Sequence, residues 1–141
     1  MIPEGVIIHH SLTKDGKTVD WDAIKNYHVK VNKWNDIGYH AGVERIDGKL
    51  TILTGRPINV EGGHTKGHNN TVGICIVGNF DLAPPDDEML RYSAILAAGY
   101  LRMFKLPVET LHMHGEFASY KSCPGTQFPW DLFKQYVKEA I

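Results

Sequence analysis

The spacing of hydrophobic and polar positions along the 141-residue chain changes several times, and each change marks an element. "GVIIHHS" (residues 5–11) is an apolar run rich in β-branched residues that stops at a polar cluster, the pattern of a buried strand with functional groups at its end. Over residues 20–34 the repeat lengthens. Trp21, Ile24, Tyr27 and Val31 recur at helical spacing and Asp20 can cap the start, which predicts a helix packed on a sheet. "GYHAGVERIDGKLTILTGRP" (38–57) reads as a hairpin, with Asp47-Gly48 supplying the positive-φ positions of a tight turn. "INVEGGHTKGHNN" (58–70) is a polar, glycine-rich loop long enough to suggest that it faces a ligand.

The run "TVGICIVGNF" (71–80) is apolar throughout and fits a central strand covered on both faces. In "PPDDEMLRYSAILAAGYLRMFK" (84–105), prolines and acids suit a helix N-terminus, and apolar residues then continue at helical spacing before Pro107. From Trp130 onward Phe133, Val137 and Ile141 share one side of a terminal helix whose mixed charges favour docking on the core over binding a membrane. Strands and helices interleave. The expectation is one α/β domain over residues 1–141, a central mixed β-sheet flanked by about three α-helices.

Composition narrows the function classes. Fifteen basic and sixteen acidic residues nearly cancel, which argues against a long basic surface for nucleic acid. No apolar run reaches the length of a membrane span, so stable membrane insertion is not expected. The start, "MIPEGVIIHH", lacks a basic leader and a long hydrophobic core, so we expect a chain made in the cytoplasm without a signal peptide, or one already trimmed. The two cysteines sit in different settings. Cys75 lies inside an apolar run and reads as a packed core thiol, whereas Cys123 lies in a Pro/Gly loop beside Lys121 and reads as reactive or ligating.

Candidate chemistry concentrates in "LHMHGEFASYKSCPG" (111–125). If "TLHMH" is a strand, the pleat sends His112 and His114 to one face, and Cys123 can fold back from beyond a short loop. A catalytic zinc takes three protein ligands and leaves one position open, so a third donor is needed. The end of the first strand offers His9 or His10, which point to opposite faces, and periodicity does not choose between them. A structural zinc finger would need four closed ligands, and the chain has no Cys-x-x-Cys. His114-Gly115-Glu116 mimics the H-x-E of zinc deaminases, but Cys123 has no second cysteine three positions later. A thiol hydrolase with Cys123 as nucleophile is a further alternative.

Taken in order, "VIIHHS", "WNDIGYH", "GGHT" leading to "NNTVGICIVGNF", and "HGEFASYKSCPG" resemble the type 2 N-acetylmuramoyl-L-alanine amidases, a family that includes peptidoglycan recognition proteins and small phage lysozyme-amidases. The resemblance covers nearly the whole chain. It implies a mixed sheet flanked by helices and a Zn2+-dependent hydrolysis of the amide between the lactyl group of muramic acid and L-alanine of the stem peptide. It also implies the ligand set His9, His114 and Cys123, with Tyr39 and the phage-type Lys121 beside the metal as catalytic groups. Glu116 is expected to orient His114. His64, His68 and Asn69 are expected to contact substrate, although the loop "HTKGHNN" is one residue shorter than is usual in the family and carries His68 where tyrosine is common. His10, His28 and His40 are expected to be structural. The implied partner is peptidoglycan and the implied role is that of an endolysin, acting as a monomer. A cytosolic recycling enzyme, a domain cut from a secreted protein, and a recognition module that grips without cutting are the alternatives.

Overall fold

The computed structural model describes residues 1–12 and 20–141. Among the described residues five strands form one mixed sheet, in the order β3 (Lys49–Thr54), β2 (Ala41–Ile46), β4 (Val72–Ile76), β1 (Val6–His10) and β5 (Leu111–Met113). β1 lies parallel to both β4 and β5. β2 runs parallel to β4 and antiparallel to β3. The expected hairpin closes through Asp47 at φ 49° and Gly48 at φ 79°. β1 and β4 are buried at every residue, as expected for strands covered on both faces.

The pleat divides the core into two layers. Val6, Ile8, Ile74 and Ile76 face α2 (Asp87–Met103) and α3 (Trp130–Ala140), meeting Leu90, Ala94, Ala97, Leu101, Phe133 and Val137. Asp86 caps α2 by accepting the Met89 N–H at 2.8 Å, just after the prolines that end the preceding loop. On the opposite face Cys75 packs with Trp21, Ile24, Ile37 and Val77 under the short α1 (Trp21–Asn26). Trp21 lies directly over Gly42, where a Cβ would stand 2.2 Å from the indole, so only glycine admits the helix at this depth. One face is thus roofed by two long helices and the other by a single short one.

Two elements differ from the sequence expectation. The first helix keeps its Asp20 cap, with the Ala23 N–H donating to Oδ1 at 2.8 Å, but after Asn26 it widens into a π turn (Tyr27–Val31) in which the Asn32 N–H reaches back five residues to the Tyr27 carbonyl. The wider turn rotates the 3.6-residue stripe off the core, so Tyr27 and Val31 are exposed while Trp21 and Ile24 are buried. The strand expected through His114 ends at Met113, and His114–Glu116 form a 3-10 turn. Among the described residues no helix is long and apolar enough to cross a membrane.

Candidate metal centre

His9 is the fourth residue of β1 and shares a pleat face with Cys75 across the sheet. His10, its neighbour, is turned to the α2/α3 face, where its ring stacks on Phe80 and its Nδ1 accepts the Phe80 N–H at 3.1 Å. The strand's alternation thus separates the paired histidines: His9 faces the side where His114 and Cys123 gather, and His10 is spent on packing. His114 arrives from the turn that follows β5, with its ring centroid 4.6 Å from that of His9. Cys123 arrives from the loop beyond; its Sγ lies 3.8 Å from His9 Nδ1 and accepts the His10 backbone N–H at 3.3 Å. One donor atom from each of His9, His114 and Cys123 lies within 4.8 Å of the others. His114 and Cys123 are only partly buried, so the cluster opens to solvent on one side.

The loop carrying Cys123 is held from below. Asp81, in the turn after β4, accepts from Ser122 Oγ at 2.9 Å and from the Thr126 N–H at 2.7 Å, while the Gln127 N–H donates to the Phe80 carbonyl at 2.7 Å. Gly125 has φ 126°, and a Cβ added to it would stand 2.5–2.8 Å from Phe80, a combination of dihedral and contact that excludes other residues.

Burial sets the protonation of this site. Desolvation, aided by the neighbouring imidazoles of His64 and His114, holds His9 well below the ordinary histidine range. His114 is lowered to about 4 and His64 to about 3, chiefly by burial, so these rings are neutral at physiological pH. Burial pushes the free Cys123 thiol up to about 12. Two neutral imidazoles and one sulfur match the nitrogen and sulfur donors of a catalytic zinc, for which three protein ligands and one open position are usual. The donor set therefore fits the ion the sequence resemblance implies.

The other expected site residues divide. Tyr39 is beside the cluster, its ring centroid 5.0 Å from that of His9, and its hydroxyl is buried near the Cys75 thiol. Lys121 is exposed on the Cys123 loop, near enough for its charge to lower both His9 and His114. Glu116 does not turn to His114. Its Oε2 accepts the Met113 N–H at 2.5 Å and its Oε1 pairs with His112 Nδ1 at 3.3 Å, because the 3-10 turn swings the carboxylate back over the strand end. His112 is accordingly outside the donor cluster, contrary to the shared face that a longer strand would give.

In the 58–70 loop, His68 stacks on Phe117 with ring centroids 3.9 Å apart, and Phe117 closes the turn that carries His114, its N–H donating to the His114 carbonyl. Asn69 uses its Oδ1 to accept the backbone N–H groups of His64 and Thr65, both at 2.8 Å. His64 is 9% exposed and packs edge-on against His9, with ring centroids 4.9 Å apart. His40 fills the structural role expected of it, bridging the Gly73 N–H and the Val60 carbonyl. His28 does likewise, accepting the Gly38 N–H at 2.9 Å. Sequence reasoning did not reach Cys75 as a neighbour of Tyr39, Phe117 as the platform under His68, or Asp81 as the anchor of the sulfur loop. Each is a contact across tens of residues with no motif to announce it.

Fold and donor set together define a mixed-sheet α/β protein with a three-donor candidate metal centre at the ends of its parallel strands. The family model described as N-acetylmuramoyl-L-alanine amidase matches residues 1–126. The chain is 38% identical to the endolysin of Escherichia phage T7 over 147 aligned residues, covering 98% of this chain and 88% of the phage protein. It is 33% identical to peptidoglycan-recognition protein LB of Drosophila melanogaster over 128 residues, covering 85% of this chain and 53% of that protein. Among solved structures, N-acetylmuramoyl-L-alanine amidase LysC from Clostridium intestinale URNW superposes with a TM-score of 0.80 at 28% identity, covering 97% of this chain and 86% of LysC. The chain belongs to the N-acetylmuramoyl-L-alanine amidase family and is an enzyme, an amidase.

Proposed function

We propose that this single-domain amidase uses Zn2+ to hydrolyse the amide between the lactyl group of N-acetylmuramic acid and L-alanine in peptidoglycan stem peptides, in the role of a phage or prophage endolysin. The observation that supports the reading is the convergence of His9, His114 and Cys123 donor atoms within 4.8 Å, with His114 and Cys123 partly exposed to solvent. These three residues would hold the ion. The chemistry it supplies when bound is Lewis acidity, which polarises a carbonyl and acidifies water.

The chain's own groups account for the rest. Attack on the amide carbonyl places negative charge on its oxygen, and two donors stand ready for it. Tyr39 offers a hydroxyl beside His9, kept protonated because burial raises its pKa well above the ordinary value. Lys121 offers an ammonium from the same loop as Cys123. Hydrogen-bond donors of this kind lower the barrier by stabilising the charge that develops on that oxygen. His68 on its Phe117 platform offers a stacking surface for substrate next to the cluster. Endolysin relatives among phages, together with the match over nearly the full chain, support the wall as target and the lytic role.

The test combines zinc content with amidase activity on purified peptidoglycan, read as new amino termini. One zinc per chain, chelator-sensitive release, and loss of both zinc and release in Cys123→Ala are the expected results. Activity that survives chelation would favour Cys123 as a nucleophile instead. Zinc uptake without any release would favour a recognition module.

A further inference from the structure

We propose that His64 is the positioning residue that fixes which ring nitrogen of His9 faces the metal. This rests on the zinc reading above and concerns a residue whose sequence context suggested contact with substrate.

The Thr71 carbonyl oxygen can only accept a hydrogen bond. His64 Nε2 lies 3.1 Å from the Thr71 carbonyl oxygen, so that nitrogen must carry the ring proton. A neutral imidazole has one N–H, and His64 Nδ1 is therefore a lone pair. That lone pair faces His9 Nε2 at 2.9 Å, which makes His9 Nε2 the donor. The proton of His9 is thereby held on the side away from the cluster, and the lone pair on its Nδ1 is directed toward Cys123 Sγ, 3.8 Å away. The opposite tautomer would set two lone pairs against each other at 2.9 Å and aim an N–H at the ion's position. Thr65 Oγ1 flanks the contact, 3.0 Å from His64 Nδ1 and 3.4 Å from His9 Nε2, and both rings and the hydroxyl are buried.

The place of the His64 ring is itself built. A Cβ on Gly73 would stand 2.4 Å from His64 Cδ2, and one on Gly62 2.5 Å from the same atom, so the ring occupies a slot that two glycines leave. Asn69 Oδ1 pins the backbone on which His64 sits. Both ring nitrogens are engaged, which assigns His64 to holding His9. Outer partners of this kind fix the tautomer and orientation of ligating histidines.

Two variants of nearly equal shape separate the polar role from packing. His64→Asn keeps an acceptor where Nδ1 stands; His64→Leu removes it. Long-range proton–nitrogen NMR on metal-free protein reads the His9 tautomer, and chelator competition reads zinc affinity. The proposal expects the Nε2–H form of His9 in the parent. It further expects His64→Leu to weaken zinc binding by about 10- to 100-fold, with His64→Asn staying near the parent. An Nδ1–H form in the parent, equal losses in the two variants, or parental affinity in His64→Leu would overturn it. Failure of the zinc reading shows separately, as a parent protein that takes up no zinc. The tautomer, read without metal, still judges the positioning claim in that case.

Discussion

Gly73 shows how much of this site is decided by single atoms. An added methyl there meets the His64 ring at 2.4 Å, and the neighbouring chain cannot yield, since the Gly73 N–H is bonded to His40 Nδ1. Gly73→Ala is therefore expected to cost about 1–3 kcal/mol of stability through overpacking, read from urea midpoints, and to weaken zinc binding although every donor remains. Lys121→Ala should do the reverse. It leaves the zinc stoichiometry intact and lowers turnover by about 10²- to 10³-fold, the usual effect of removing one oxyanion donor. At this scale the sequence was partly legible. The order of motifs pointed to His9, His114 and Cys123, but the choice between His9 and His10 lay beyond periodicity, because both faces of β1 are apolar. The partners of Glu116 and His64 were not legible at all, because they depend on where a 3-10 turn begins and on which carbonyl a ring happens to meet.

Among the elements, the strands and the second helix were readable because their signals are local. Short runs rich in β-branched residues mark β1 and β4, Asp47-Gly48 marks the hairpin, and the acids around Asp86 mark the start of α2. The π turn after α1 was not, since a change from four-residue to five-residue hydrogen bonding leaves no trace in the hydrophobic pattern until it displaces Tyr27 and Val31. The clasp between the two long helices also needed the structure. Asp87 on α2 accepts from Tyr136 on α3 at 2.6 Å and from Arg91 at 2.8 Å, and the Arg91 guanidinium lies 4.0 Å over the Tyr136 ring. The Tyr136 and Arg91 hydrogen bonds hold the Asp87 carboxyl below the usual range. Its contribution is then complete above the unfolded carboxylate pKa of about 3.9 and is lost as pH falls through the lower folded value. Asp87→Asn should be less stable than the parent at neutral pH, and the gap should close as urea midpoints are followed into acid. A gap that stays constant down to pH values below the carboxylate range would refute the clasp.

For the molecule as a whole, a ligand that binds only the folded chain raises its stability by mass action. Zinc at about a hundredfold excess over its dissociation constant should add about 2.7 kcal/mol, and His9→Ala should abolish the gain. Differential scanning calorimetry with and without chelator measures both. The architecture was legible from alternation and run length, whereas the sheet order was not, because placing β1 between β4 and β5 depends on pairings across more than sixty residues. That placement has a kinetic meaning. The sulfur donor lies 114 residues from His9, and the first strand that it meets is flanked by strands from the middle and the far end of the chain. Metal capture should consequently lag behind the appearance of secondary structure during refolding. Cobalt substituted for zinc would colour at the closing moment of assembly, an optical clock for the last strand to arrive.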